Sequence, residues 1–277
     1  TSANLDNRAG LINSQGELTL AGQHVDSSLG GEISAKGDLR LTVQQLIQRQ
    51  GRLIGEGAVS IDLQGGNLDN SGGLISAKGP LTFARLVALT NREQGEISSQ
   101  ATFTLAAKHI DNGDRGVILS ADQLQLEAEH VVNADKGLIS GWNGLAVISD
   151  SLDNSGKGTL SSKSGALQVA LTGALDNHDS GALVSQGKQH ISATSLNNNQ
   201  GIISGQDDVT LNVAGRLDNS NNGLISADKV LDFNHAQSEL INQGGKISAA
   251  SIKLIGQSLD NSAGQLISQV TLEGTLS

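Results

Sequence analysis

Apolar residues recur along the whole chain in two short alternations. One follows a glycine, as in Gly73, Leu74, Ile75, Ser76 and again in Gly95, Glu96, Ile97, Ser98. The other sets two apolar residues one apart: Leu18 and Leu20, Leu39 and Leu41, Val59 and Ile61, Phe103 and Leu105, Leu124 and Leu126, Val209 and Leu211. The residue between them is polar or small (Thr19, Arg40, Ser60, Thr104, Gln125, Thr210). A period of two is the signature of a strand with one buried face. A third segment, the phrase Leu-Asp-Asn, puts Leu and Asn on one face and Asp on the other, because side chains two apart share a face.

These three segments return as a unit. Aligned on the residue that opens the Leu-Asp-Asn phrase, the copies begin at Leu5, Val25, Leu46, Leu68, Leu89, Ile110, Val131, Leu152, Leu175, Leu196, Leu217, Leu240 and Leu259, with steps of 19 to 23 residues. Thirteen contiguous copies predict a single structural domain over residues 1–277, with no linker and no second domain. The units are too short for two helices and too rich in Gly and β-branched residues for a helical repeat. An antiparallel sandwich would need hairpin turns between alternating strands. The pattern therefore predicts an all-β parallel β-helix of about 13 coils of about 21 residues, which at the inter-strand spacing would be about 60 Å long.

Stacking places each residue over its counterpart one coil away, so every column must tolerate its own neighbour. The aliphatic columns do so. The Asn of the phrase forms an expected inward ladder of Asn7, Asn70, Asn91, Asn112, Asn133, Asn154, Asn177, Asn198, Asn219, Asn242 and Asn261, with Ser27 and Gln48 in the remaining places. Stacked amides can pass hydrogen bonds along such a column, which makes their burial tolerable. The glycines that open the next strand (Gly31, Gly51, Gly73, Gly95, Gly116, Gly137, Gly158) are expected to supply positive φ at the corner. The Asp column (Asp6, Asp26, Asp69, Asp111, Asp153, Asp176, Asp218, Asp260) is expected to face solvent. From Asp69 onward it alternates with uncharged residues except at Asp153 and Asp176. Stacked carboxylates repel, and a duplicated two-coil ancestor would give the same alternation.

Composition sharpens this picture. The chain has 35 Gly, one Pro, no Cys, no Met, no Tyr and four aromatic residues: Trp142, Phe83, Phe103 and Phe233. A core without aromatic bulk must consist of small, regular, repeated spaces. The lack of Met points to an internal or processed piece. A net charge of −10 disfavours nucleic acid and anionic membrane surfaces as partners. There is no thiolate metal site, no long apolar run and no leader pattern.

The repeated phrase Leu-Asp-Asn-x-x-Gly-x-Ile-Ser, followed by Gly-x-Leu-x-Leu, resembles the filamentous haemagglutinin repeats of large bacterial exoproteins, over all thirteen copies. The resemblance implies a right-handed parallel β-helix within a stalk on a Gram-negative cell surface. Such proteins leave the cell by two-partner secretion and include those of contact-dependent growth inhibition. It also implies three partners: the rest of the same filament, an outer-membrane two-partner-secretion transporter, and a receptor on a target cell. The family's secretion domain with its Asn-Pro motifs is not expected here, since Pro80 is the only proline, and no pretoxin motif is seen. The expected role is that of a rigid spacer presenting an adhesive or toxic tip. It would be secreted or outside the outer membrane, need no cofactor and perform no catalysis.

Parallel β-helices also carry polysaccharide lyases and hydrolases, whose sites need clustered carboxylates with Arg or Lys framed by long loops. The candidates here are Asp207 with Asp208, Glu127 with Glu129, and Asp111, Asp114 and Arg115, where no coil carries an insertion longer than two residues. Solvated surface charge is their expected role. Trp142, in the turn Gly-Trp-Asn-Gly, is the one candidate for an exposed contact, against the expectation of a packed turn residue. His109 and His130 share a column one coil apart, near enough to share a metal ion, yet that column reads as an outward solvent column. Calcium-binding nonapeptides and an unbroken Thr ladder are absent. Both ends stop in mid-pattern, which predicts end-to-end association through open coil edges.

Overall fold

The computed structural model describes residues 3–277, and among them it is all-β, with 33 strands and no helix. Contacts divide the chain into two compact units. One runs to Val132 and takes in Gly137–Gly141; the other comprises Asn133–Lys136 and Trp142–Ser277. Each is a β-solenoid whose coils hydrogen-bond in parallel, one repeat onto the next.

The register is the one the repeat dictates. In the first unit Leu5 lies opposite Val25, Val25 opposite Leu46, Leu46 opposite Leu68, Leu68 opposite Leu89, Leu89 opposite Ile110 and Ile110 opposite Val131. In the second, Leu152, Leu175, Leu196, Leu217, Leu240 and Leu259 follow one another in the same way. A slip of one residue would turn every apolar side chain to solvent, so the column is fixed by burial itself. The inward aliphatic residues, such as Leu46, Leu53, Ile75, Ile97, Leu160 and Ile203, are fully buried. Each is worth about 1.5–3 kcal/mol, repeated several times per coil. All three phenylalanines are buried, Phe83 and Phe103 in the first unit and Phe233 in the second.

The strand count per coil departs from three separate segments in several places. Val59–Asp69, Leu81–Thr90, Gln123–Val132 and Gly144–Asp153 each fuse the second and third segments of a coil. The bend there is made inside the ladder. Gln64, Gly65 and Arg85 adopt left-handed backbone, and the pairing shifts register between Ala84 and Leu86 and between Leu86 and Ala88. A bulge turns the chain without breaking the sheet, and around Arg85 no glycine marks it.

The corner after the Asn ladder corrects the expectation for its glycines. Gly31, Gly51, Gly73, Gly95, Gly116, Gly137 and Gly158 do not have positive φ. The residues just before them do: Gly30, Gln50, Gly72, Gln94, Arg115, Lys136 and Lys157, with φ between 57° and 82°. The opening glycine is needed instead for close approach. A Cβ there would lie 2.3 Å from the Asn7 carbonyl oxygen at Gly31, 2.0 Å from that of Ser27 at Gly51, and 2.2 Å from that of Gln48 at Gly73. At Gly95 and Gly116 it would meet the carbonyls of Asn70 and Asn91 at 2.4 and 2.0 Å. In each case the obstacle is the ladder residue one coil earlier. Non-glycine residues in the left-handed positions pay about 1–2 kcal/mol each, which the packing of the corner outweighs.

Candidate functional site

The most organised polar feature is the inward Asn column. In the first unit Asn70 Nδ2 donates to Asn91 Oδ1 and Asn91 Nδ2 to Asn112 Oδ1, each at 2.7 Å. In the second, Asn133, Asn154, Asn177, Asn198 and Asn219 each donate to the Asn one coil further on at 2.7 Å, and Asn242 donates to Asn261 at 2.6 Å. Each Nδ2 also reaches carbonyls of the corner and of the next coil. That of Asn177 lies 3.0 Å from the Gly181 oxygen and 3.2 Å from that of Ile202. The ladder thus ties side chain to backbone and coil to coil in a line that is buried up to Asn242 and half-buried at Asn261.

One coil departs from it. Asn7 Nδ2 donates to Ser27 Oγ at 2.9 Å, but Gln48, completely buried, leaves both its Nε2 and Oε1 without a partner, and Asn70 Oδ1 is orphaned too. The longer Gln side chain displaces the amide from the line that Asn occupies.

The Asp column does more than face solvent. Asp26, Asp69, Asp111, Asp153, Asp218 and Asp260 each use Oδ1 to accept the backbone N–H two residues on, at 2.9–3.0 Å. Asn197 accepts that of Asn199 in the same way. This is an Asx turn that holds the chain into the corner. Corner arginines add charge across coils: Arg92 Nη1 lies 3.1 Å from Asp111 Oδ2, and Arg49 Nη1 3.7 Å from Asp69 Oδ2. Where two Asp stack directly, a basic side chain attends them. Arg8 bridges Asp6 and Asp26, and holds the Asp6 carboxyl down to about 2. His178 Nδ1 lies 2.6 Å from Asp176 Oδ1 beside Asp153. The hydrogen bond to Asp176 pushes the His178 imidazole up, against a smaller opposing effect of burial, with further upward pull from Asp176, Asp153 and Asp179.

Four of the six carboxylates considered for catalysis pair with lysine or arginine, and Glu127 accepts instead from the Gln125 side-chain amide at 2.5 Å. Asp207 pairs with Lys229 and Asp208 with Lys188, both at 3.0 Å, Glu129 with Lys108 at 3.5 Å, and Asp111 with Arg92. Asp114 and Arg115 are themselves corner residues with left-handed backbone. His109 and His130 stack with ring centroids 5.3 Å apart and exposed edges. Among the described residues no group of three or more His, Cys, Asp or Glu is placed to hold a metal ion, and no helix is long and apolar enough to cross a membrane. Trp142 is not packed into its turn: it is 54% exposed, with Lys163 Nζ 5.4 Å from its ring centroid. The turn has only Asn143 and glycines beside it, so nothing local can cover an indole.

A stacked, hydrogen-bonded column of parallel coils, with many of its surface charges paired, defines a structural β-solenoid. A family model described as Haemagglutinin repeat matches residues 1–85, 84–179, 164–221 and 220–277, and the chain belongs to that family. No curated protein and no solved structure matches the chain. Family and fold together describe an adhesin-type filament stalk of a secreted or surface-exposed protein.

Proposed function

We propose that residues 1–277 serve as one non-catalytic stalk segment of a large filament secreted through a two-partner-secretion transporter. The filament holds an adhesive or toxin-delivering tip away from a Gram-negative cell, as in contact-dependent growth inhibition. The observation that carries this reading is the ladder: the same Asn column, at the same 2.7 Å bond, links coil after coil in each unit. Long runs of bonded rungs, from Asn70 to Asn112 and from Asn133 to Asn261, resist local opening, which is what a spacer requires. The unbroken repeat phase, 21 residues from Ile110 to Val131 and 21 from Val131 to Leu152, supports its acting as one element.

The test is removal of one whole coil, residues 175–195, from the filament on its producing cell. A stalk tolerates the deletion, because the new junction keeps every column in register, and adhesion or growth inhibition persists. Loss of that activity with the β-structure and surface display intact would overturn the spacer role.

A further inference from the structure

The chain has almost no aromatic residues, and it hides three of the four. The exception, Trp142, has more than half its surface in water. An indole left in solvent forgoes the burial that aromatic side chains usually supply. Its backbone, by contrast, is firmly held: Ser164 donates its N–H to the Trp142 carbonyl oxygen at 2.8 Å, and the Ser164 hydroxyl lies 2.8 Å from Asn143 Oδ1. A held turn thus presents a largely exposed ring, attended by Lys163 Nζ at 5.4 Å from its centroid.

Beside it, in the same unit, lies a sheet face of unusual character. Strands Thr159–Ser162, Ala182–Ser185, Ile202–Gly205 and Leu224–Ala227 pair in parallel. Their outward residues are Thr159, Ser161, Ala182, Val184, Ile202, Ser204, Leu224 and Ser226, without one charge in a chain that carries 46 charged side chains (Lys+Arg 18 plus Asp+Glu 28). A shallow depression of about 330 Å³ runs along this face, bounded by Lys163, Gln186 and Gln206 at the ends of successive strands. None of its lining residues is a carboxylate. Lys163, at one end, is the residue that approaches the Trp142 ring.

From this placement we propose that the Trp142 ring and the adjoining uncharged face bind a neutral, linear polysaccharide running parallel to the stacking direction. The C–H face of a pyranose packs against an indole, while its hydroxyls need short hydroxyl and carboxamide partners, which Ser161, Ser204, Gln186 and Gln206 provide. Coils repeat at the inter-strand spacing, close to the length of one pyranose in an extended chain, so successive sugars meet successive rungs. A polyanion finds only Lys163 here. A second copy of this chain would bring its own charge of −10 against the same charge.

The chain has one Trp and no Tyr, so intrinsic fluorescence reads this site alone. Titration of the full chain with cellohexaose, chitohexaose and maltohexaose is expected to give a saturable change in Trp emission with at least one of them. By calorimetry, Trp142→Ala is expected to weaken that sugar about tenfold, with melting temperature and circular dichroism unchanged. Gln186→Ala with Gln206→Ala keeps the fluorescent reporter and is expected to weaken binding several-fold. The proposal is overturned if none of the three sugars gives a saturable response, or if Trp142→Ala binds undiminished. It is equally overturned if only a heparin hexasaccharide responds, or if the emission changes on dilution without sugar, which would mark a contact between copies.

Discussion

A Cβ built on Gly181 lies 2.7 Å from the Oδ1 of Asn177, and only 2.4 Å from the carbonyl oxygen of Asn154 one coil earlier. The glycine and the ladder are therefore one device: the amides can stack only because the chain passing over them has no side chain. Gly181→Ala must push the corner away from two ladder residues, an overpacking expected to cost about 3 kcal/mol. Gly244, with φ of 64° and nothing within 4 Å of its would-be Cβ, is the control. Gly244→Ala meets only the left-handed backbone penalty, about 1 kcal/mol. Thermal melts of the two variants should separate clearly, and equal losses would contradict the close-approach role.

The gap in the ladder gives the opposite sign. Gln48 buries two unpaired amide atoms and leaves Asn70 Oδ1 without a donor. Gln48→Asn restores the side-chain length used everywhere else in the column and lets Asn70 accept. Relief of buried orphans is expected to stabilise the chain by about 1–2 kcal/mol, read as a rise in denaturant midpoint at constant slope.

Much of this was legible beforehand, and the limits have physical causes. The strand segments, their register and the inward columns follow from a period of two repeated at a period of about 21, because stacked copies leave no freedom to choose partners. The Asn column was legible for the same reason. The roles of its companions were not. Gly73 and Gly95 were expected to turn the corner, but the turn is made by Gly72 and Gln94, and the glycine is fixed by a carbonyl one coil away. That is a three-dimensional constraint, invisible to local propensity. The Asp column looked like solvent-facing charge because Asp and Asn at position 197 differ in charge but not in the turn they hold. The Asp-Asn-x spacing was the signal that could have found it. Trp142 was expected to pack into its turn and does not, since a turn residue packs only if its neighbours are large enough to cover it.

Gln189 shows how a single position can escape such patterns. It occupies the inward place between Leu167 and Val209, is buried, and has neither amide atom paired. Its flanks, Lys188 and His190, are polar, so the inward phase is masked in the sequence. Gln189→Leu matches the column above and below, and is expected to stabilise by about 1–2 kcal/mol. A melting temperature below that of the parent chain would show that the amide has a function in the core.

Asp218 tests the corner-holding role. Burial alone would raise its carboxyl, but the Ser220 hydroxyl, Arg216 and the Ser220 N–H together hold it below the usual range. The lowered folded value means a stabilising contribution present above the unfolded carboxylate pKa and lost as pH falls through the folded one. Asp218→Ala is expected to cost about 1–2 kcal/mol near neutral pH, and Asp218→Asn, which still accepts from Ser220, less. The difference between parent and Asp218→Ala should shrink on acidification. If Asn is as damaging as Ala, the turn hydrogen bond is not what the residue supplies.

His178 supplies a pH dependence of the opposite sense. Asp153 and Asp176 face each other across adjacent coils, and the imidazole 2.6 Å from Asp176 is raised above its ordinary value by that hydrogen bond and by the surrounding carboxylates. A folded pKa above the unfolded one gives stability that is complete below the unfolded value of 6.5 and is lost as pH rises through the folded value. The ring is nearly half exposed, so solvent screening keeps the effect small. The expected result is a modest fall in melting temperature from about pH 6 to about pH 8, absent in His178→Ala. An NMR titration should show the imidazole midpoint falling toward 6.5 when Asp176 is replaced by Asn. A midpoint unmoved by that replacement would mean that the stacked aspartates do not hold the proton on His178.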